Sequence, residues 1–340
     1  MTPRERTERR EAEHLHARAC LAARAAERER PEPPCPARTA FQRDVDRITH
    51  SKSFRRLMYK TQVFLCPGGD HYRTRLTHAL EVSRIARTVA RGLSLNEDLT
   101  EAVALGHDLG HAPFGHAGER ALNEVVPGGF AHNTHSRRVV ECLERGGEGL
   151  NLCPETRAGI ECHTGPELSA SLEGRIVRIA DRIAYVNHDM DDAVRAGLLT
   201  ETELPAGVRQ TLGASYSMRI DTLVRDMLEA SSERLRTSPE PDIVLSPPVA
   251  EAMEALRAFM FERVYLNSRA KSEETKAISM IQRLYEHYAA SADRLTEELW
   301  PLAERDGTER AAADFVAGMT DRYALETAQG LFLPHGWEKR

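Results

Sequence analysis

The sequence predicts an all-α protein on two observations: its most abundant residues are helix formers, and its apolar positions recur at helical intervals. Ala, Leu, Arg and Glu lose little rotamer freedom in a helix, whereas aromatic residues, which favour strands, make up only 6% of the 340 positions. A chain of this length buries a large core, either as one helical domain with additions or as two modest ones. The formal net charge of −6, from 46 basic and 52 acidic residues, argues against a general electrostatic grip on nucleic acid.

Along the chain, residues 3–30 alternate Arg and Glu among alanines and predict a charged, solvated helix with no chemical role. The run Pro31-Glu32-Pro33-Pro34-Cys35-Pro36 must end it, because proline removes backbone donors and disfavours helix in the residue before it. Helical spacing returns over 43–60, then breaks at Pro67-Gly68-Gly69. Leu76, Leu80, Ile85, Val89 and Leu93 predict an amphipathic helix over 74–92. Asn96 caps the next helix, which carries Leu99, Val103 and Leu105 to Leu109 before Gly110, Pro113 and Gly115 stop it. A short helix follows over 116–125, and a longer one over 173–195 is built on Ile176, Ile179, Ile183 and Val186. After Pro205 further helices run to Trp300, with disorder expected at 1–4 and 237–248. These punctuation points divide the chain into 1–36, 37–200 and 201–340. Cys20, Cys35, Cys66, Cys142, Cys153 and Cys162 form no CxxC pair and read as reduced thiols. With no signal-peptide core and no run of about 18 apolar residues, a soluble cytoplasmic protein away from membranes is expected.

The chemistry is written in where histidines and aspartates interrupt the apolar stripes. His107 and Asp108 are adjacent at a helix end, His78 lies within the preceding helix, and Asp181 breaks an Ile/Ala-rich one. Brought together by helix packing, two imidazoles and two carboxylates ligate one divalent ion and leave positions open for water and substrate oxygen. Mixed nitrogen and oxygen donors without thiolate suit Mn, Mg, Fe, Co or Ni rather than a closed structural zinc site.

The string His107-Asp108-Leu109-Gly110-His111-Ala112-Pro113-Phe114-Gly115-His116-Ala117-Gly118-Glu119 resembles the signature of the deoxyguanosinetriphosphate triphosphohydrolase-like branch of the HD-domain phosphohydrolases. Blocks at 38–44, 54–63, 72–78 and 178–185 resemble that family too, as does a segment holding Tyr265, Asn267, Arg269 and Lys271. The resemblance implies a helical HD core with additional C-terminal helices packed on it or on a neighbouring subunit. It also implies His78, His107, Asp108 and Asp181 as metal ligands, in agreement with the residue argument.

His116 and Glu119, three apart on a helix, can hydrogen-bond, and a carboxylate raises the pKa of an imidazole that must deliver a proton near neutral pH. The resemblance implies the same pair as the catalytic dyad, with His111 close to the substrate phosphates. Arg75 stands one turn before His78, where it can reach a metal-held phosphate; Arg182 is a second phosphate candidate. Asp181, Tyr185 and Asp189 recur every four residues, so Tyr185 and Asp189 should line the same cavity and contact a sugar. By resemblance Gln62 joins them, Tyr185 excludes a 2′-hydroxyl, and His132 belongs to a substrate-binding block in which His135 replaces an expected glutamine. His163 lies near the pocket without an assigned role.

The expected function is thus metal-dependent hydrolysis of deoxynucleoside triphosphates to deoxynucleoside and tripolyphosphate. Two alternatives stand beside it: another HD phosphohydrolase, such as a nucleotide monophosphatase or guanosine polyphosphate hydrolase, and a non-catalytic regulator that binds nucleotide or single-stranded nucleic acid. Family resemblance further implies a homo-oligomer, with hexamers among the known assemblies and effector dNTPs at subunit contacts in some members.

Overall fold

A computed structural model describes residues 1–62, 73–265 and 268–334, with backbone only at 265 and 268–272. Val63, Cys66, the Pro67-Gly68-Gly69 break, Tyr72 and Asn267 lie outside the described residues, as do the side chains of Tyr265, Arg269 and Lys271. The fold is all-α, with sixteen α-helices among the described residues, joined by short 3₁₀ and π turns. Among the described residues there is no strand, only an isolated antiparallel bridge between Thr61 and Thr74.

Three helices form the centre: Arg75–Gly92 packs against both Glu97–Gly106 and Leu172–Arg195. Thr74 opens the first with a capping box to Thr77, and Asn96 caps the second by accepting from the Asp98 and Leu99 amides at 3.1 Å each. The buried face of Arg75–Gly92 differs from the predicted stripe. Leu80 is 48% exposed, while Ala79, Val82, Ser83, Ala86 and Ala90 are buried. Small side chains let this helix approach its two neighbours closely, which burying a leucine stripe would prevent.

The N-terminal segment corrects the expectation of a long solvated helix. The helix ends at His14, and residues 15–30 run as an irregular strap across the core. Buried carboxylates take backbone donors that a helix would use internally: Glu173 accepts from Cys20 N at 3.0 Å and Glu11 from Ala22 N at 2.7 Å. Arg28 pairs with the fully buried Asp44 at 2.6 Å, which also accepts from Cys153 N and Thr156 Oγ1. Neither stretch expected to be disordered is so. Thr2 caps the first helix, while Ser231 bonds both backbone polar groups of Val244 and leaves Ile243 buried.

Beyond Pro205 the helices continue past Trp300 to Phe332. One apolar cluster joins Ile281, Leu284, Val316 and Ala324 of this region to Ala117, Ala121 and Leu122 on the helix Gly115–Val125. The C-terminal third therefore packs directly against the helix that carries His116.

Candidate active site

His107 and Asp108 leave the end of Glu97–Gly106 in a tight turn that lies on the helix His132–Arg138. Gly110 is required there, since a Cβ would stand 2.1 Å from Ser136 N. The Ser136 hydroxyl locks the crossing, donating to His107 O at 2.6 Å and accepting from Gly110 N at 2.8 Å. His78 comes from Arg75–Gly92 and Asp181 from Leu172–Arg195, so the three central helices converge on one point.

There, His78, His107 and Asp108 each offer a donor atom, all within 4.8 Å of one another. Asp181 Oδ1 adds a fourth, 3.0 Å from His78 Nε2 and 3.6 Å from His107 Nε2. The Nδ1–H of His107 donates to Ala104 O at 2.6 Å, which directs the Nε2 lone pair into the centre. That Nε2 is buried and has no hydrogen-bond partner among the described residues. A buried imidazole nitrogen left open beside three further donors fits a divalent cation, and the four residues can hold one.

Around this centre lies a cavity of about 1180 Å³, lined by Gln62, Arg75, His111, His116, Glu119, His132, Arg182, Tyr185 and Asp189 as well as the donors His78, Asp108 and Asp181. Of the residues expected to serve catalysis, substrate binding or metal ligation, only His107 is not on its wall, lying fully buried behind it. Arg75, 2% exposed, donates to Asp108 Oδ2 at 2.8 Å, so its guanidinium is tied to a donor carboxylate beside the cavity. His116 stands at the mouth with its side chain 72% exposed, its Nδ1 3.2 Å from Glu119 Oε2. The other Glu119 oxygen accepts from His132 N and lies 2.8 Å from His132 Nδ1. His111 stacks on His132 with ring centroids 4.0 Å apart. Its Nε2 lies 3.3 Å from Asp108 Oδ1, and Asp108, His111 and His132 form a second close donor group.

The electrostatics differ from group to group. Burial would raise the Glu119 carboxyl, but hydrogen bonds from His116 and His132 outweigh it and hold it well below the usual carboxylate range. Burial, with Arg75 and His132 nearby, holds His111 well below the ordinary histidine value, so it is neutral. Burial lowers His163 to about 3 and raises the Tyr185 hydroxyl to about 12.

His163 is deeper in the site than its loop-like sequence suggested. Its Nδ1 bonds Ile160 O at 2.7 Å and its Nε2 lies 3.2 Å from His132 Nε2. His135 faces elsewhere, bonding Gly110 O and sitting 3.3 Å from Asp314. Sequence reading missed His188, whose Nδ1 lies 3.4 Å from His78 Nδ1 and whose Nε2 lies 3.0 Å from Glu81 Oε2. Its place on Leu172–Arg195, one residue before Asp189, was the available signal. Phe261, Arg257 and Glu254, at the cavity's C-terminal wall, carried no motif.

Residues 75–186 match the HD domain family and residues 243–330 the phosphohydrolase-associated domain. A deoxyguanosinetriphosphate triphosphohydrolase-like protein of Caldanaerobacter subterraneus is 50% identical over 99% of this chain and 98% of its own length. Another of that name, from Desulfatibacillum aliphaticivorans, is 46% identical over 98% and 99%. The chain belongs to the deoxyguanosinetriphosphate triphosphohydrolase-like family. A phosphohydrolase structure from Bacteroides thetaiotaomicron, 17% identical, shares the fold of this family member with a TM-score of 0.52 over 84% of this chain and 68% of that one. Membership supports hydrolase chemistry of the HD phosphohydrolase type, and no helix among the described residues is long and apolar enough to cross a membrane.

In this protein, cation binding should depend on pH in a defined direction. Burial alone would lower His107, but Asp108 and Asp181 outweigh it and push it up to about 9 without metal, so a proton must leave as a cation enters. Lower pH favours the protonated form, so affinity rises from pH 6.5 to 8.5, by about tenfold per unit for one displaced proton. Calorimetric Mn²⁺ titrations in buffers of different ionisation enthalpy measure the release directly; a flat affinity with no proton released would contradict this account.

Proposed function

We propose that the protein hydrolyses deoxynucleoside triphosphates at the α-phosphate, releasing deoxynucleoside and tripolyphosphate, with one divalent ion held by His78, His107, Asp108 and Asp181. The observation that carries this reading is the single cavity in which the donor centre, the His116–Glu119 pair and the Tyr185–Asp189 stripe share one wall.

Bound Mn²⁺ or Mg²⁺ would polarise a phosphate oxygen and lower the pKa of a bound water. The remaining work belongs to the chain. Arg75 supplies positive charge beside the centre, and Arg182 offers a second cation at the rim. Neutral His111, stacked on His132, gives the phosphates a hydrogen-bonding group without adding a full charge. With Nδ1 held by Glu119, His116 carries its mobile proton on Nε2 and delivers it to the leaving oxygen. Tyr185 keeps its hydroxyl proton and packs on the sugar, so that a 2′-hydroxyl has no room, while Asp189 accepts from the 3′-hydroxyl and Gln62 adds a further sugar contact.

The test is anion-exchange chromatography of products from each of the four dNTPs and from GTP, in Mn²⁺ and in Mg²⁺. Tripolyphosphate from dNTPs and none from GTP is the expected result. Release of inorganic phosphate or pyrophosphate would replace this reading with another HD phosphohydrolase activity, and no product from any nucleotide, alone or mixed, would sink it. Light scattering with and without dNTP checks the associated expectation of a homo-oligomer with effector nucleotide at subunit contacts.

A further inference from the structure

The turn that delivers His116 is held from the far end of the chain. Phe114 has φ 63° and ψ 25°, and Gly115 follows at φ 56°, so two successive residues are left-handed and one bears a large side chain. Such a residue is strained and persists only where its surroundings over-determine it. Here the determinant is Asp321, first residue of the helix Asp321–Phe332 and only 3% exposed. One carboxylate oxygen accepts from Phe114 N at 2.9 Å; the other accepts from Thr61 N at 2.9 Å and Thr61 Oγ1 at 2.7 Å. Beside it Lys60, 2% exposed, donates through Nζ to His111 O and, at 2.8 Å, to Ala317 O. The stretch 111–114 is thus fastened at Phe114 directly to Asp321 and at His111, through Lys60, to Ala317, both within the segment that matches the phosphohydrolase-associated domain.

We infer that Asp321 is a positioning residue for His116, acting through the Phe114 amide, and that Asp321 and Lys60 together make the C-terminal region a brace for the catalytic turn. Gly115 begins the helix on which His116 and Glu119 sit, so the Phe114 backbone sets where that helix starts and where His116 points. Without an acceptor for its amide, Phe114 relaxes toward an ordinary right-handed conformation and carries the head of the helix with it. His78 and Asp181 lie on other helices, and His107 and Asp108 precede the Gly110 crossing that Ser136 fastens, so the four candidate donors stay in place. This inference rests on the proposed role of His116 for its kinetic part only.

Three variants test it, read by amide hydrogen exchange, Mn²⁺ titration and tripolyphosphate release. In Asp321→Ala, exchange at Phe114 to Glu119 should quicken at least tenfold, Mn²⁺ affinity should stay within about twofold, and kcat should fall roughly 10- to 100-fold, the scale expected for a displaced catalytic group. Asp321→Asn, which keeps an oxygen able to accept from Phe114, should recover most of the loss. Lys60→Met, which preserves volume, should loosen 111–114 with a smaller fall in kcat, and it decides the matter should Asp321→Ala not fold. Unchanged exchange in the turn of a folded variant overturns the inference, as does faster exchange throughout the protein with loss of Mn²⁺ binding. Because exchange and Mn²⁺ titration need no substrate, a wild type inactive on dNTPs would defeat the functional reading and leave the brace still decided by these two measurements.

Discussion

Asp108→Ala should abolish both cation binding and tripolyphosphate release. Asp108 is joined to three neighbours: Oδ1 lies 3.5 Å from His107 Nε2 and 3.3 Å from His111 Nε2, and Oδ2 accepts from Arg75. Its removal deletes one of four donors and frees a guanidinium that should face phosphate. A metal's stabilisation of transition-state charge is worth several kcal/mol, so the rate should drop by roughly 10³-fold or more. The unpaired, buried Arg75 adds a stability cost of about 3 kcal/mol. Metal content by mass spectrometry, helicity by circular dichroism and product release should be measured on one preparation. A folded Asp108→Ala protein that keeps its metal and turns over would remove the donor assignment.

His116→Ala should separate proton delivery from cation binding. Loss of a positioned general acid costs about 10²–10⁴-fold, and metal content should match the wild type because none of the four donors contacts His116. The open position of this side chain at the cavity mouth makes a further outcome expected: added imidazole should restore part of the activity, since its protonated form, a small acid, can enter the space His116 leaves. Glu119→Gln should behave differently. Glu119 bonds the backbone and ring of His132 as well as His116, so the change disturbs substrate contacts too and should raise KM while lowering kcat. Equal kcat for His116→Ala and wild type would remove His116 from the chemistry.

The centre of the fold was legible because its signals are local. Asp181 within an Ile/Ala-rich helix and the pair His107-Asp108 at a helix end each contradict the apolar pattern around them, and the structure brings both to one point with His78. Asn96 and Thr74 act through neighbours two or three residues away, so the helix starts could be read as well. Leu80 shows where periodicity misleads: it falls in the apolar register, but the neighbouring helices pack on the alanines beside it. Residues 15–30 have helical composition, yet acceptors as remote as Glu173 take their backbone donors. Lys60 and Asp321 were invisible for the same reason, since an ordinary lysine and an ordinary aspartate acquire meaning only when residues 61 and 114 meet residue 321.

That long reach bears on how the protein is made. The strap needs Glu173, some 150 residues downstream of Cys20, and the catalytic turn needs Asp321, some 200 downstream of Phe114. At about 5–20 residues per second, a nascent chain carries its HD turn for roughly ten seconds or longer before the acceptor emerges from the ribosome. During synthesis His78, His107, Asp108 and Asp181 can gather while Phe114 still lacks its anchor, so the helix that carries His116 is among the last parts to settle. Truncation before Asp321 would therefore leave a chain whose four central His and Asp residues can still meet while the turn at Phe114 stays unanchored.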